Sequence, residues 1–432
     1  MSGFGAQQWT LHNGMDVVVI PNKRSPVIAH MVWYKIGAAD EPDGKSGIAH
    51  FFEHLMFKGT KNLEPGEFSK IVARNGGRDN AFTSQDYTAY FQTIPKNMLD
   101  TVMKMEAERM HQLILTDDTV YPERDVILEE RKQRVDNDPT SILDEAVDAA
   151  LYPNHPYSDP IIGWEHEIQR LTTDDALAFY RQHYQPHNAI LVISGDTSIE
   201  EVKTLAEKHY GAVPSVKKTP SPAIRPRSVS PPQRTEQRIS LKDPRVMQEK
   251  WQRLWKMPSM NLDSERLPEE VYDLLAEVLG GGSTSFLYTR LVREQKHAVA
   301  VSAYFSHALD YDHFSIVAIP AANVSLDTLE DAISQALDDF LTTPLDTQQV
   351  KRIKNAYLAQ TLFDRDSLMG PAMIMGHALV LGHTIDDVET YPRKVSNVTE
   401  KELMRAAQSL FSGEHKALTA WLEKEDKPPN TP

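Results

Sequence analysis

The chain has 432 residues, no cysteine and a formal net charge of −15, from 46 Lys and Arg against 61 Asp and Glu. That length exceeds what one hydrophobic core sustains, so two or more domains are expected, and the missing thiols exclude disulfides and thiolate metal ligands. The acidic balance argues against a general nucleic-acid binder, and no apolar run approaches a membrane span. The opening residues Met1 to Gln8 lack a basic region followed by an apolar core. The expected compartment is therefore cytoplasmic for the sequence as given, or periplasmic if a signal peptide has been removed.

The first strand signal is Val17 to Ile20. It is followed by a helical stretch, Ser46 to Phe57, in which Ser46 is the expected cap and no Pro or Gly intervenes after Gly47. Within it, His50-Phe51-Phe52-Glu53-His54 places two imidazoles one helical turn apart, the spacing that suits a divalent metal. Glu53 lies on the adjoining strip of that face, placed as a general base for a metal-bound water. A hydrolytic zinc site needs three protein ligands and an open position, so a third is sought downstream. Leu115 to Asp118 reads as a turn, and the sequence predicts a helix over 122–135 with Pro122 in its first turn and acidic residues behind it. Glu123 and Glu130 fall on one stripe of that helix, whereas Glu129 is rotated away by about 100°. Glu130 is the favoured third ligand. Glu123 is either a carboxylate favoured by the helix dipole or a group that holds a histidine ligand in place.

Ala189 to Ile193 is another strand signal, and the clearest composition break follows it, a basic, proline-rich stretch over 214–235 that reads as a solvated linker. The expected domains are 1–213, with the metal site, and 236–432. Beyond the linker a faint repeat appears. Ile94-Pro95 leads into a helix, a turn and the Glu123 helix, and Ile319-Pro320 leads into a helix, a turn at Thr342 to Asp346 and a helix from Gln348. His313 to Ile319 reads as a strand, and Val271 to Leu279 stands where the first half has its histidine helix, without histidine. The fold class expected is α+β, two homologous domains, each a mainly antiparallel sheet packed with helices. The polar, proline-rich end from Glu423 to Pro432 is expected to fray. His377 and His383 have no ligand spacing and are read as structural.

The His-x-x-Glu-His run followed about 75 residues later by Glu, inside Arg-Asp-Val-Ile-Leu-Glu-Glu, resembles the inverted zinc peptidases of the M16 family, which includes pitrilysin, insulin-degrading enzyme and mitochondrial processing peptidase. Leu11 to Ile20 resembles that family's opening hairpin, Asn80 to Tyr90 its substrate-binding edge strand, and Gly280-Gly281-Gly282-Ser283 with Leu291-Val292-Arg293-Glu294 a signature of its second domain. The resemblance spans nearly the whole chain and suits the short subfamily, in which two chains enclose a clam-like chamber. It implies one Zn2+ per chain on His50, His54 and Glu130, Glu53 as the base and later the acid in peptide hydrolysis, and Asn80, Ala81, Phe82 and Thr83 as a strand that pairs with the substrate backbone. The bland reading of that strand is an ordinary sheet edge.

One departure bears on partners. In self-sufficient members an Arg of the second domain is followed seven residues later by Tyr, both reaching the substrate; here Arg293 is kept and Ala300 stands at the Tyr position, with Tyr304 a poor match in spacing. Losing one oxyanion donor costs about 3 kcal/mol in the transition state. The chain therefore resembles the zinc-bearing subunit of a two-chain peptidase, with a homologous subunit supplying the Arg/Tyr pair; a homodimer is the alternative. The other function class is a non-catalytic structural or peptide-binding relative, against which the intact Glu53 argues.

Overall fold

The computed structural model describes residues 4–217, 219–222, 225–413 and 415–425, with the side chains of Asp364 and Arg365 set aside. Of the end expected to fray, Glu423 and Lys424 are instead paired in the last strand, opposite Lys242 and Asp243, and 426–432 lie outside the described residues. These residues fall into two compact units. One draws on Met1–Lys132, Asp159–Ser228 and Phe363–Thr390, the other on Gln133–Ser158, Val229–Leu362 and Tyr391–Pro432. Among the described residues no helix is long and apolar enough to cross a membrane.

The first unit is built on six strands: β1 (Gln7–Thr10), β2 (Asp16–Pro21), β3 (Val27–Tyr34), β4 (Arg78–Thr83), β5 (Thr88–Pro95) and β6 (Ala189–Gly195). Their order is β1-β2-β6-β3-β5-β4, antiparallel except for the β2/β6 pair, so among the described residues β4 has a partner strand on one side only. Period-two alternation sends Val17, Val19, Val32 and Tyr34 into a core shared with helices α1 (Ile48–Leu55), α2 (Glu67–Arg74), α3 (Leu99–Gln112) and α4 (Asp117–Arg131). β2 is buried along nearly its whole length, as a central strand covered on both faces is.

The second unit repeats the plan. Strands β7 (Gln237–Asp243), β8 (Lys250–Pro258), β9 (Ala298–Ser306), β10 (Tyr311–Pro320) and β11 (Leu418–Lys424) run in the order β7-β11-β8-β10-β9, with β7/β11 the parallel pair. Strand for strand this is β2-β6-β3-β5-β4 again, the duplication faintly visible in the sequence. The chain is thus α+β with two mainly antiparallel sheets packed against helices. The helix Glu269–Gly280 packs beside β9, the counterpart of β4, as α1 does beside β4, and it carries no histidine; Val271, Leu274, Leu275, Val278 and Leu279 are among its buried residues.

Three local expectations are corrected. α4 begins at Asp117, not near Pro122, because Thr116 caps it: the Thr116 N–H donates to Thr119 Oγ1 at 3.0 Å, and Pro122 removes one backbone bond in the second turn without ending the helix. Of the stretch read as a turn at Leu115 to Asp118, Thr116 is therefore the N-cap and Asp117 and Asp118 are the first residues of α4. α1 is not capped by Ser46. Its N-cap is Gly47 in the left-handed region (φ 85°), and the carboxylate of Glu41 accepts from Gly47 N at 2.8 Å and Ala49 N at 2.7 Å. The linker's basic charge is solvated only in part: Lys217 and Arg234 are exposed, but the Arg227 side chain is buried against Asp40 and Asp86, which Arg225 also engages.

Candidate metal centre

α1 is amphipathic in a narrow sense. Phe51, Phe52 and Leu55 are fully buried, Phe52 packing its ring against Phe179, Tyr180 and Tyr184, and this locks the rotation of the helix. The opposite strip then carries His50, Glu53 and His54, with the two imidazole centroids 5.0 Å apart. α4 lies alongside, held by the buried Val120 and Ile127 and by Arg124, whose Nη1 donates to the Leu171 carbonyl at 3.0 Å. At its end Arg131 Nη1 donates to the Gly163 carbonyl at 2.8 Å. Gly163 in turn abuts Gly47, so closely that a Cβ on Gly163 would stand 2.6 Å from Gly47 Cα. The end of the helix that carries Glu130 is thus tied to the start of the helix that carries the histidines.

This brings three donors together. His50 Nε2 and His54 Nε2 lie 4.0 and 3.4 Å from Glu130 Oε2, and donor atoms of the three residues all fall within 4.8 Å of one another. Ligands at 2.0–2.1 Å around a tetrahedral ion sit about 3.4 Å apart, so two nitrogens and one carboxylate oxygen at these distances fit Zn2+. Two groups orient His54 from behind. Glu123 Oε1 is 2.9 Å from its Nδ1, leaving Nε2 to face Glu130, and Lys58 Nζ is bonded to Glu123 Oε2. The His54 hydrogen bond, with burial opposing it and Lys58 reinforcing it, holds the Glu123 carboxyl down at about 2. Burial disfavours the His54 imidazolium, but the Glu123 hydrogen bond and the charges of Glu123, Glu130 and Glu53 outweigh it and raise its pKa.

Glu53 is half-buried beside this group, and its Oε2 accepts from Thr83 Oγ1 at 2.6 Å. Thr83 ends β4, the strand that holds Asn80, Ala81 and Phe82 at the edge of the sheet. Asn80 is exposed; Phe82 packs edge-on against Trp33 and Tyr87. Arg293 belongs to the other compact unit, in the exposed part of the short helical stretch Tyr288–Glu294. His377 packs on Tyr87 and is not in the donor group. Sequence reasoning missed Lys58, Glu41 and Arg131. Lys58 carries a faint signal, one turn past His54 on the same strip; the other two act across more than a helical turn and carry none.

With this geometry in view, the comparisons with known proteins are direct. Residues 17–165 match the family model described as insulinase (peptidase family M16), and 170–357 match the one described as peptidase M16 inactive domain. The zinc protease PqqE of Helicobacter pylori is 33% identical over 93% of this chain and 89% of its own length. A Schizosaccharomyces pombe protein named "Probable mitochondrial-processing peptidase subunit beta" is 24% identical over 95% of this chain and 90% of its own. A crystal structure of a protease from Helicobacter pylori superposes with a TM-score of 0.88 at 31% identity, covering 98% of this chain and 99% of that one. The chain belongs to peptidase family M16.

Proposed function

We propose that this chain is a zinc-dependent endopeptidase that hydrolyses unfolded peptides in a closed chamber, as the catalytic subunit of a heterodimer. The observation that carries this reading is the convergence of His50, His54 and Glu130 with Glu53 beside them, and relatives named as zinc proteases support it. His50, His54 and Glu130 would hold one Zn2+, which when bound supplies a Lewis acid and makes a water more acidic. Glu53 takes the proton of the attacking water and returns it to the leaving amine. Glu123 fixes the tautomer and tilt of His54. The free edge of β4, over Asn80 to Thr83, takes the peptide backbone as an added strand, which accommodates varied sequences because the contacts are main-chain. Arg293 is read as a contact to the substrate.

The heterodimer part rests on Ala300. Ala300 and Tyr304 point to the same side of β9, four residues apart, which is about 13 Å along a strand. Tyr304 therefore does not stand in for a tyrosine at 300, and a homologous subunit is assigned the missing donor. The domain reading, 1–213 and 236–432 joined by 214–235, belongs to the same proposal and is supported by the repeated strand order on either side of that stretch.

The test is hydrolysis of a quenched-fluorescent unstructured peptide by the zinc-loaded chain, alone and mixed with a homologous subunit bearing the Arg/Tyr pair. Cleavage that disappears on chelation, returns with zinc and rises on mixing is expected. Zinc bound without cleavage in either case would assign the chain to the non-catalytic relatives instead.

A further inference from the structure

We propose that Thr83 is a positioning residue for Glu53, so that one side chain joins the free edge of β4 to the general base. The proposal rests on the peptidase reading above and adds to it a role for a hydroxyl rather than for the backbone that carries it. Alternation along β4 turns Asp79, Ala81 and Thr83 toward the helices, and both ends of that row are pinned. Asp79 Oδ2 accepts from Ser69 Oγ of α2 at 2.5 Å, and Thr83 Oγ1 donates to Glu53 Oε2 of α1 at 2.6 Å. A glutamate's last torsion is broad, so a carboxylate in a cleft is aimed only if something holds it. The Thr83 hydroxyl holds one of its oxygens.

Thr83 is itself fixed from the far side. In the turn that follows it, the Ser84 carbonyl accepts from Ala38 N at 3.0 Å, the Gln85 carbonyl accepts from Ala39 N at 2.9 Å, and Asp86 Oδ1 accepts from the buried Arg227 Nη1 at 2.6 Å. The backbone there is so close that a Cβ on Gly37 would stand 2.5 Å from the Ser84 and Gln85 oxygens. The C-terminal end of β4 is therefore rigid, while its outer edge has no partner strand among the described residues. A rigid Thr83 holds Glu53 in one orientation whether or not the edge is filled, so loss of its hydroxyl misaims the base without weakening the main-chain pairing and appears in kcat rather than in KM.

The experiment compares wild type with Thr83→Val, which keeps shape and removes the hydroxyl, Thr83→Ala as a second hydroxyl-free variant, and Thr83→Ser, which restores the donor. Three readouts are taken: steady-state hydrolysis of a long unstructured peptide, zinc content, and calorimetric affinity for a peptide hydroxamate and for the same peptide without its zinc-binding group. Expected is a loss in kcat of about tenfold or more in both hydroxyl-free variants, with KM within about twofold, zinc retained and Thr83→Ser near wild type. Hydroxamate affinity is expected to fall by a similar factor, since a Glu53 aimed by Thr83 would accept a hydrogen bond from the hydroxamate, while the plain peptide binds as before. Unchanged kcat without the hydroxyl, a rise in KM alone, or a Thr83→Ser variant as impaired as Thr83→Val would each overturn the proposal. A wild type that neither cleaves the peptide nor binds the hydroxamate would overturn the peptidase reading, and this proposal with it; an active wild type with an indifferent Thr83→Val overturns this one alone.

Discussion

Glu123 Oε1 lies 2.9 Å from Nδ1 of His54, while Glu130, seven residues further along α4, faces Nε2 of the same ring. Two positions two turns apart on one helix thus address the two nitrogens of one histidine, one as an orienting acceptor and one as the proposed fellow ligand. Glu123→Ala removes the acceptor and frees the ring to change tautomer. Zinc affinity, read by competition with a chromogenic chelator, is expected to fall between about 10- and 100-fold. Affinity equal to wild type would return Glu123 to the role of a dipole-favoured carboxylate.

The contact between Gly47 and Gly163 sets where α1 starts. A Cβ on Gly47 would lie 2.4 Å from the Ile162 carbonyl oxygen, at a residue with φ 85°. Gly47→Ala therefore combines left-handed strain with a backbone clash and should cost on the order of 2–3 kcal/mol or more in denaturant unfolding. Zinc content should fall with it, because the first turn of α1 carries His50. A variant of wild-type stability would show that the two loops separate easily.

Arg227 in the linker is 4% exposed, facing Asp40 and Asp86 at 9% and 4%. Truncating so buried a cation leaves Asp40 with Arg225 alone and takes the Arg227 hydrogen bond from the buried Asp86 carboxylate, so Arg227→Ala is expected to destabilise by about 3 kcal/mol. Arg24, more than half exposed in its pair with Asp366, is the control: Arg24→Ala should change stability by less than about 1 kcal/mol. Equal effects in the two variants would mean the linker is not a packed part of the unit.

In the second unit, His307 offers both ring nitrogens to carboxylates, Nε2 to Asp273 at 2.9 Å and Nδ1 to Glu269 at 3.3 Å. Burial works against its charge, but the Asp273 charge and hydrogen bond and those of Glu269 prevail and raise its pKa well above the ordinary histidine value. A folded-state pKa above the unfolded one contributes stability that is full below about 6.5 and is lost as pH rises through the raised value. His307→Gln should thus cost about 2 kcal/mol at pH 6 and progressively less in alkaline solution. A cost independent of pH would mean the ring acts by packing alone.

The histidine helix was legible because its signal is local: two imidazoles four apart, a carboxylate between them and an apolar remainder. Glu130 was legible by the same helical arithmetic, and the strands at Val17, Ala189 and His313 by β-branched runs. What stayed hidden depends on contacts that sequence spacing does not encode. The cap of α1 comes from Glu41 outside the helix, and the Thr83 hydroxyl reaches Glu53 across 30 residues. The linker's arginines looked solvated because Asp40 and Asp86 are more than 100 residues away. Similarly, no shift in composition marks Gln133–Ser158 as packing with the second sheet.

The most direct measurement is peptide hydrolysis by Glu53→Gln beside wild type, both with zinc content determined and both assayed alone and with the homologous subunit. The account predicts equal zinc in the two proteins and loss of at least about a hundredfold in kcat in the variant, since Gln keeps the shape of Glu53 but accepts no proton. Cleavage by the zinc-loaded variant at the wild-type rate would contradict it.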